Sequence, residues 1–101
     1  ASHPELDAIF GSNDDCALGA LAALEAAGRS DVIVVGYDAT PEARTAIAGG
    51  TRLIADAVQH PRTIGRRTME MVAAYLSGED VPDVVAVPVS LLTRDSLDVV
   101  E

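Results

Sequence analysis

Two rhythms of apolar residues alternate along the chain: short continuous runs, and longer stretches at helical spacing. Leu6 to Gly11 is a brief apolar run ended by glycine, and Val32 to Val35 is an unbroken β-branched run ended by Gly36. Such runs suit strands. The second reads as a strand covered on both faces, the usual central position of a parallel sheet. Between them, Ser12-Asn13-Asp14-Asp15 has the chemistry of a helix N-terminus. A helix is predicted from Cys16 to Ala27, with Leu18, Leu21 and Leu24 on one side and Gly28 just past its end. Its many alanines, with Gly19 among them, predict a close approach to a sheet. That glycine costs about 1 kcal/mol relative to alanine in propensity.

Thr40-Pro41-Glu42 opens a second helix, with threonine as N-cap, proline in the first turn and an acid near the positive end. Gly49-Gly50 stops it near Ala48. Arg52 to Gln59 is a third strand candidate, and Asp56 inside it predicts an exposed face or end. His60-Pro61 breaks this strand. Ile64, Thr68, Met71, Val72 and Tyr75 then recur at helical spacing, predicting an amphipathic helix from Thr63 to Ser77. After an acidic loop, Val84 to Thr93 reads as extended, and Pro88 favours an edge or a crossing segment. The order β-α-β-α-β-α-β implies an α/β fold with a mainly parallel sheet flanked by helices.

Composition narrows the function. With 101 residues the chain holds at most one small domain, and 49% hydrophobic residues make a packed core plausible. A net charge of −9, with 16 acids against 7 arginines and no lysine, argues against a reader of nucleic-acid phosphates. One cysteine, Cys16, excludes an internal disulfide and a cysteine-rich metal site. It reads as a small core residue rather than an activated thiol. No apolar stretch approaches a membrane span, and the first residues lack a signal-peptide pattern. On that basis the chain is cytosolic, or a mature or truncated form of something exported.

Several chemistries lack support. No glycine-rich phosphate loop follows a strand, so no nucleotide cofactor is implied. Gly11-Ser12-Asn13 lacks the flanking glycines of a nucleophile elbow. His3 and His60 have no spaced partner for a metal and read as surface or turn residues. A receiver domain leans on a lysine that is absent here, and no nucleophile–base pair stands out to support an enzyme.

What remains is a polar residue after each of three apolar strands: Asn13, Asp38 and Gln59. Each has an ordinary explanation, as a helix cap, a turn residue or a solvated strand end. Together they offer two amides and a carboxylate along one carboxyl edge, where open α/β sheets bind ligands. Planar groups of this kind hold adjacent sugar hydroxyls with paired bonds. The aromatic platform such a site wants is missing: Phe10 lies in a strand, Tyr37 alternates away, and Tyr75 sits on a helix.

His-Pro-Glu-Leu-Asp-Ala-Ile-Phe-Gly-Ser-Asn-Asp-Asp-Cys-Ala-Leu-Gly-Ala-Leu (His3 to Leu21), Val-Val-Gly-Tyr-Asp-Ala-Thr-Pro (Val34 to Pro41) and Ala-Val-Gln-His-Pro (Ala57 to Pro61) closely resemble the type I periplasmic sugar-binding proteins. The ribose-binding members look nearest, and the likeness continues through Ile64-Gly65 to Val87–Leu97. The resemblance implies a Rossmann-like lobe, one of two that close on a sugar around a hinge before delivery to an ABC-transporter permease. It also implies a periplasmic or extracytoplasmic location, a non-enzymatic role and no cofactor. By motif, Asn13, Asp38 and Gln59 match polar sugar contacts of the C-terminal lobe. Stacking aromatics and arginines of the family come from sequence upstream of these motifs.

The resemblance further implies a division of the chain. Residues 1–59 form part of the C-terminal lobe, 60–87 belong to the N-terminal lobe, and 88–101 cross the hinge and form the tail. A piece so divided is expected to need either the missing N-terminal half or a second copy of itself. The effector-binding half of a LacI-type repressor is the alternative, since it shares the fold and a similar Val-Gly-Tyr-Asp motif. Ala46 to Gln59 favours the transport type, because repressors usually carry a proline-rich connection there.

Overall fold

The structure, a computed structural model, describes residues 2–100. Ala1 and Glu101, the ends of the first and last predicted segments, lie outside the described residues. In chain order the elements are β1 (Ala8–Phe10), α1 (Asp14–Ala26), β2 (Ile33–Tyr37), α2 (Pro41–Ala48), β3 (Leu53–Val58), α3 (Pro61–Leu76) and β4 (Ser90–Thr93), followed by a 3-10 turn at Arg94–Ser96. The sheet runs β1-β2-β3-β4. The first three strands are parallel, and β4 joins the edge antiparallel. The predicted α/β order is therefore present.

Local chemistry explains the boundaries. Asn13 caps α1 by accepting the Cys16 N–H at 2.9 Å, and Asp14 and Asp15 sit in its first turn. Gly28 follows the Ala27 cap at φ +67°, a conformation glycine adopts without steric cost. Thr40 caps α2, accepting the Ala43 N–H at 3.3 Å, with Pro41 in the first turn. Of the extended stretch Val84 to Thr93, only Ser90–Thr93 pairs as a strand, after Pro88. It forms the edge that Pro88 suggested.

One core ties α1 and α2 to the same sheet face. Leu21 and Leu24 from α1, Val32 and Val34 from β2 and its approach, Ile47 from α2, Leu53 and Val58 from β3, and Leu92 from β4 pack together. Cys16 is exposed, contrary to the core position expected of it. The helix phase brings Ala17 to the sheet instead, and Cys16 falls one residue off that face. Gly19 has open space around it, so it does not mediate the close approach. Gly11 does: a Cβ there would lie 2.6 Å from the Ala17 backbone nitrogen. Strand β2 is central, but Ile33, Val35 and Tyr37 on its second face are only partly buried. Both predicted helices of the lobe went to one face, and the described residues leave the other without a helix.

Asp56 overturns a second expectation. It is 0% exposed, although an acid within a strand suggested an open face. The cause is an irregular register beside β2: Val34 pairs with Leu53, yet Val35 pairs with Ala55. Ile54 is thus an extra residue, and strand alternation resumes one position later. That shift turns Asp56 and Val58, instead of Ala55 and Ala57, toward the core.

Helix α3 stands apart. None of its residues is buried, and Leu76 is 78% exposed. The radius of gyration is 17.8 Å, where a compact domain of this length has about 13 Å. Its apolar side faces a groove of about 450 Å³ shared with Val81, Val85 and Val87. Stability should therefore be uneven. Ile47→Ala is expected to cost about 2–5 kcal/mol, whereas Leu76→Ala should change stability by no more than about 0.5 kcal/mol. Urea midpoints of the two variants check this, and comparable losses would place α3 in the core.

Candidate sugar site at the carboxyl edge

The carboxyl ends of β1, β2 and β3 lie side by side, since Phe10 pairs with Val35 and Tyr37 with Ala57. Asn13, Asp38 and Gln59 follow these three ends. Gln59 and Asp38 meet directly: Gln59 Nε2 donates to Asp38 Oδ1 at 2.7 Å. Asn13 sits at the same edge without bonding either of them. Its Oδ1 accepts the capping bond from the Cys16 N–H, a bond that does not use its NH2 group. Asn13 and Asp38 are exposed and Gln59 is half-buried, so all three are accessible.

The loop after β2 is held in an unusual shape. Asp38 has φ 112° and Ala39 φ 55°, two successive non-glycine residues in a region that favours glycine. Such residues cost about 1–3 kcal/mol each and persist where surrounding contacts over-determine them. The contacts are present here. The Asp38 N–H donates to the Ala57 carbonyl at 2.9 Å. The Ala39 N–H donates to Asp56 Oδ1 at 3.0 Å, and the Thr40 N–H to Asp14 Oδ2 at 2.6 Å. From α2, Arg44 Nε donates to the Ala39 carbonyl at 3.0 Å. The exposed Asp38 carboxylate is thus presented by a backbone fixed on every side.

Two of those anchors are buried carboxyl groups that meet each other. Asp14 is 1% and Asp56 0% exposed, and among the described residues their remaining oxygens, Asp14 Oδ1 and Asp56 Oδ2, accept no hydrogen bond from any group outside the pair. Both oxygens would lie 2.6 Å from a Cβ placed on Gly36. Burial pushes the Asp56 carboxyl up to about 7, helped by a hydrogen bond with Asp14 and by the Asp14 charge, while the Ala39 N–H pulls the other way. The charge of Asp38 adds a smaller push. The folded chain binds a proton that the unfolded chain has released between about pH 4 and 7, so stability falls as pH rises through that window.

Neither Asp14 and Asp56 nor Arg44 stood out in the sequence as part of a site. Asp14 read as part of the N-cap stretch before α1, and Asp56 as a sign of an exposed face or end in its strand. An acid inside an otherwise apolar strand was the available signal. On the outgoing path, His60 Nε2 lies 2.8 Å from Ser90 Oγ, joining the end of β3 to the start of β4. Phe10 is exposed on the edge strand, and Tyr75 lies on α3. Among the described residues, no group of histidine, cysteine, aspartate and glutamate is arranged to hold a metal.

Known proteins share this fold. A family profile described as "Periplasmic binding protein domain" matches residues 1–80. The ribose import binding protein of Escherichia coli (strain K12) is 42% identical over 93 residues, covering 92% of this chain and 31% of that relative. A solute-binding protein of an ABC transporter from Agrobacterium vitis, solved with bound allitol, superimposes with a TM-score of 0.84 at 34% identity. That match covers 96% of this chain and 35% of the other. A glucose-galactose binding protein from Geobacillus stearothermophilus gives a TM-score of 0.88 at 26% identity, over 97% of this chain and 35% of that one. The chain spans about a third of the length of these relatives. By its match to the family profile over residues 1–80 and its identity to the ribose import binding protein, the chain belongs to the type I periplasmic sugar-binding proteins.

Proposed function

We propose that this chain is the C-terminal part of a solute-binding protein that captures a monosaccharide or a related polyol outside the cytoplasm and presents it to an ABC-transporter permease. The observation that carries this reading is the pinned Asp38 carboxylate, bonded to Gln59 and set beside Asn13 at the carboxyl edge. Together two carboxamides and a carboxylate offer both donors and acceptors to sugar hydroxyls, which act as donors and acceptors at once. Relatives named for ribose, D-apiose and xylitol support the ligand class. The ribose and D-apiose relatives are named import binding proteins, which favours this reading over a repressor.

In this reading residues 1–59 supply one wall of the cleft, and 60–87 dock on a second lobe formed by sequence beyond this chain. Residues 88–101 return across the hinge. The isolation of α3 from the core and its bare apolar side support that division. The second lobe brings the aromatic platform that these residues lack. Calorimetric titration of D-ribose, D-apiose and xylitol into the full-length protein tests the proposal. One of them is expected to saturate with one site per molecule. Failure of all three to bind at millimolar concentration would overturn it.

A further inference from the structure

The geometry points to Asp14 and Asp56 as positioning residues that share one proton, and through it make the grip of the Asp38 loop on sugar weaken as pH rises. The inference rests on the sugar reading of Asp38, and it concerns residues that touch no ligand themselves.

Consider first the two orphan oxygens. Asp14 Oδ1 and Asp56 Oδ2 converge on the space over Gly36, buried and, among the described residues, without a donor from outside the pair. Were both groups ionised, two buried negative charges would face each other at considerable cost. One proton held between them satisfies both oxygens, as in other paired carboxyl groups where like charges cannot both ionise. The outer oxygens are already committed, Asp56 Oδ1 to the Ala39 N–H and Asp14 Oδ2 to the Thr40 N–H. The pair is therefore a clasp, joining the start of α1 to the middle of β3 and holding two adjacent amides of the loop.

Removal of the shared proton leaves two carboxylates that repel across Gly36. Their separation draws apart the anchors of Ala39 and Thr40, the residues directly after Asp38. Among the described residues no cation acts on the Asp56 carboxyl. Strand β2 contributes Gly36, the loop contributes the like charge of Asp38, and β4 places Leu92 opposite Asp56. From α2, Arg44 directs its Nε to the Ala39 carbonyl, and α1 brings Asp14 itself. Sugar binding selects the clasped loop, so it stabilises the protonated pair, and by linkage deprotonation weakens sugar binding.

Two readouts on the full-length protein test this. Carbon-13 titration of aspartate side chains should show one carboxyl group, absent in Asp56→Asn, that titrates near neutral pH, with the Ala39 and Thr40 amide shifts moving in step. D-Ribose affinity of the wild type should fall by roughly five- to tenfold between about pH 6 and pH 8.5. Asp56→Asn supplies an NH2 donor to Asp14 Oδ1 in place of the proton and keeps an oxygen for the Ala39 N–H. Its affinity should lose that pH dependence, whatever its absolute level. Absence of any carboxyl titrating above about pH 5.5 would overturn the shared proton. A flat wild-type affinity profile with the titration present would overturn the coupling while the sugar reading stands. Failure to bind sugar at any pH, with the titration intact, would overturn the sugar reading itself.

Discussion

Gly36→Ala is expected to lower the stability of the lobe by about 2–3 kcal/mol, the cost of overpacking a closed site. The new methyl carbon would lie 2.6 Å from Asp14 Oδ1 and from Asp56 Oδ2, and 3.3 Å from the Ala17 Cβ. Neither carboxyl group can retreat freely, because each holds a loop amide through its other oxygen. The substitution therefore expels the shared proton site, loosens the Ala39–Thr40 amides and strains the α1 start together. Gly19→Ala provides the contrast. Nothing lies within 4 Å of its added Cβ, and it should be neutral or stabilising by up to about 1 kcal/mol. Urea unfolding of both variants reads the difference directly. Equal midpoints for Gly36→Ala and wild type would mean that the carboxyl pair is not packed over that glycine.

Asp38→Asn should weaken sugar binding by roughly 30- to 150-fold, about 2–3 kcal/mol. Two hydroxyl bonds to a carboxylate become bonds to a neutral amide, and one of the two acceptors is replaced by a donor. Asparagine is the informative replacement. It tolerates the positive φ of this position, whereas alanine would add backbone strain to the lost contact. The expected pattern in the full-length protein is weaker D-ribose binding with an unchanged unfolding midpoint. Unaltered affinity would remove Asp38 from the ligand contacts.

The sequence was legible where a single principle governed each residue. Asn13 and Thr40 cap their helices as their chemistry suggests, Gly28 takes the left-handed position after α1, and the Val32–Val35 run becomes the middle strand. Legibility ended where tertiary register decided. An extra residue at Ile54 reverses the alternation of β3, and only that reversal carries Asp56 into the core. Cys16 failed for a similar reason, a helix phase fixed by the close approach of Ala17 to Gly11. The three polar residues at the strand ends could be read one by one. The carboxyl pair beneath them could not, because it joins residues 42 positions apart through a contact no local pattern encodes.

Asn13, Asp38 and Gln59 are expected to act as one hydroxyl-binding edge. The most direct measurement follows the side-chain amide NMR signals of Asn13 and Gln59 in the full-length protein during titration with D-ribose. Both signals are predicted to shift and to saturate together, at the dissociation constant that calorimetry gives for the same sugar. Saturation of the protein with neither amide signal moving would remove Asn13 and Gln59 from the ligand contacts.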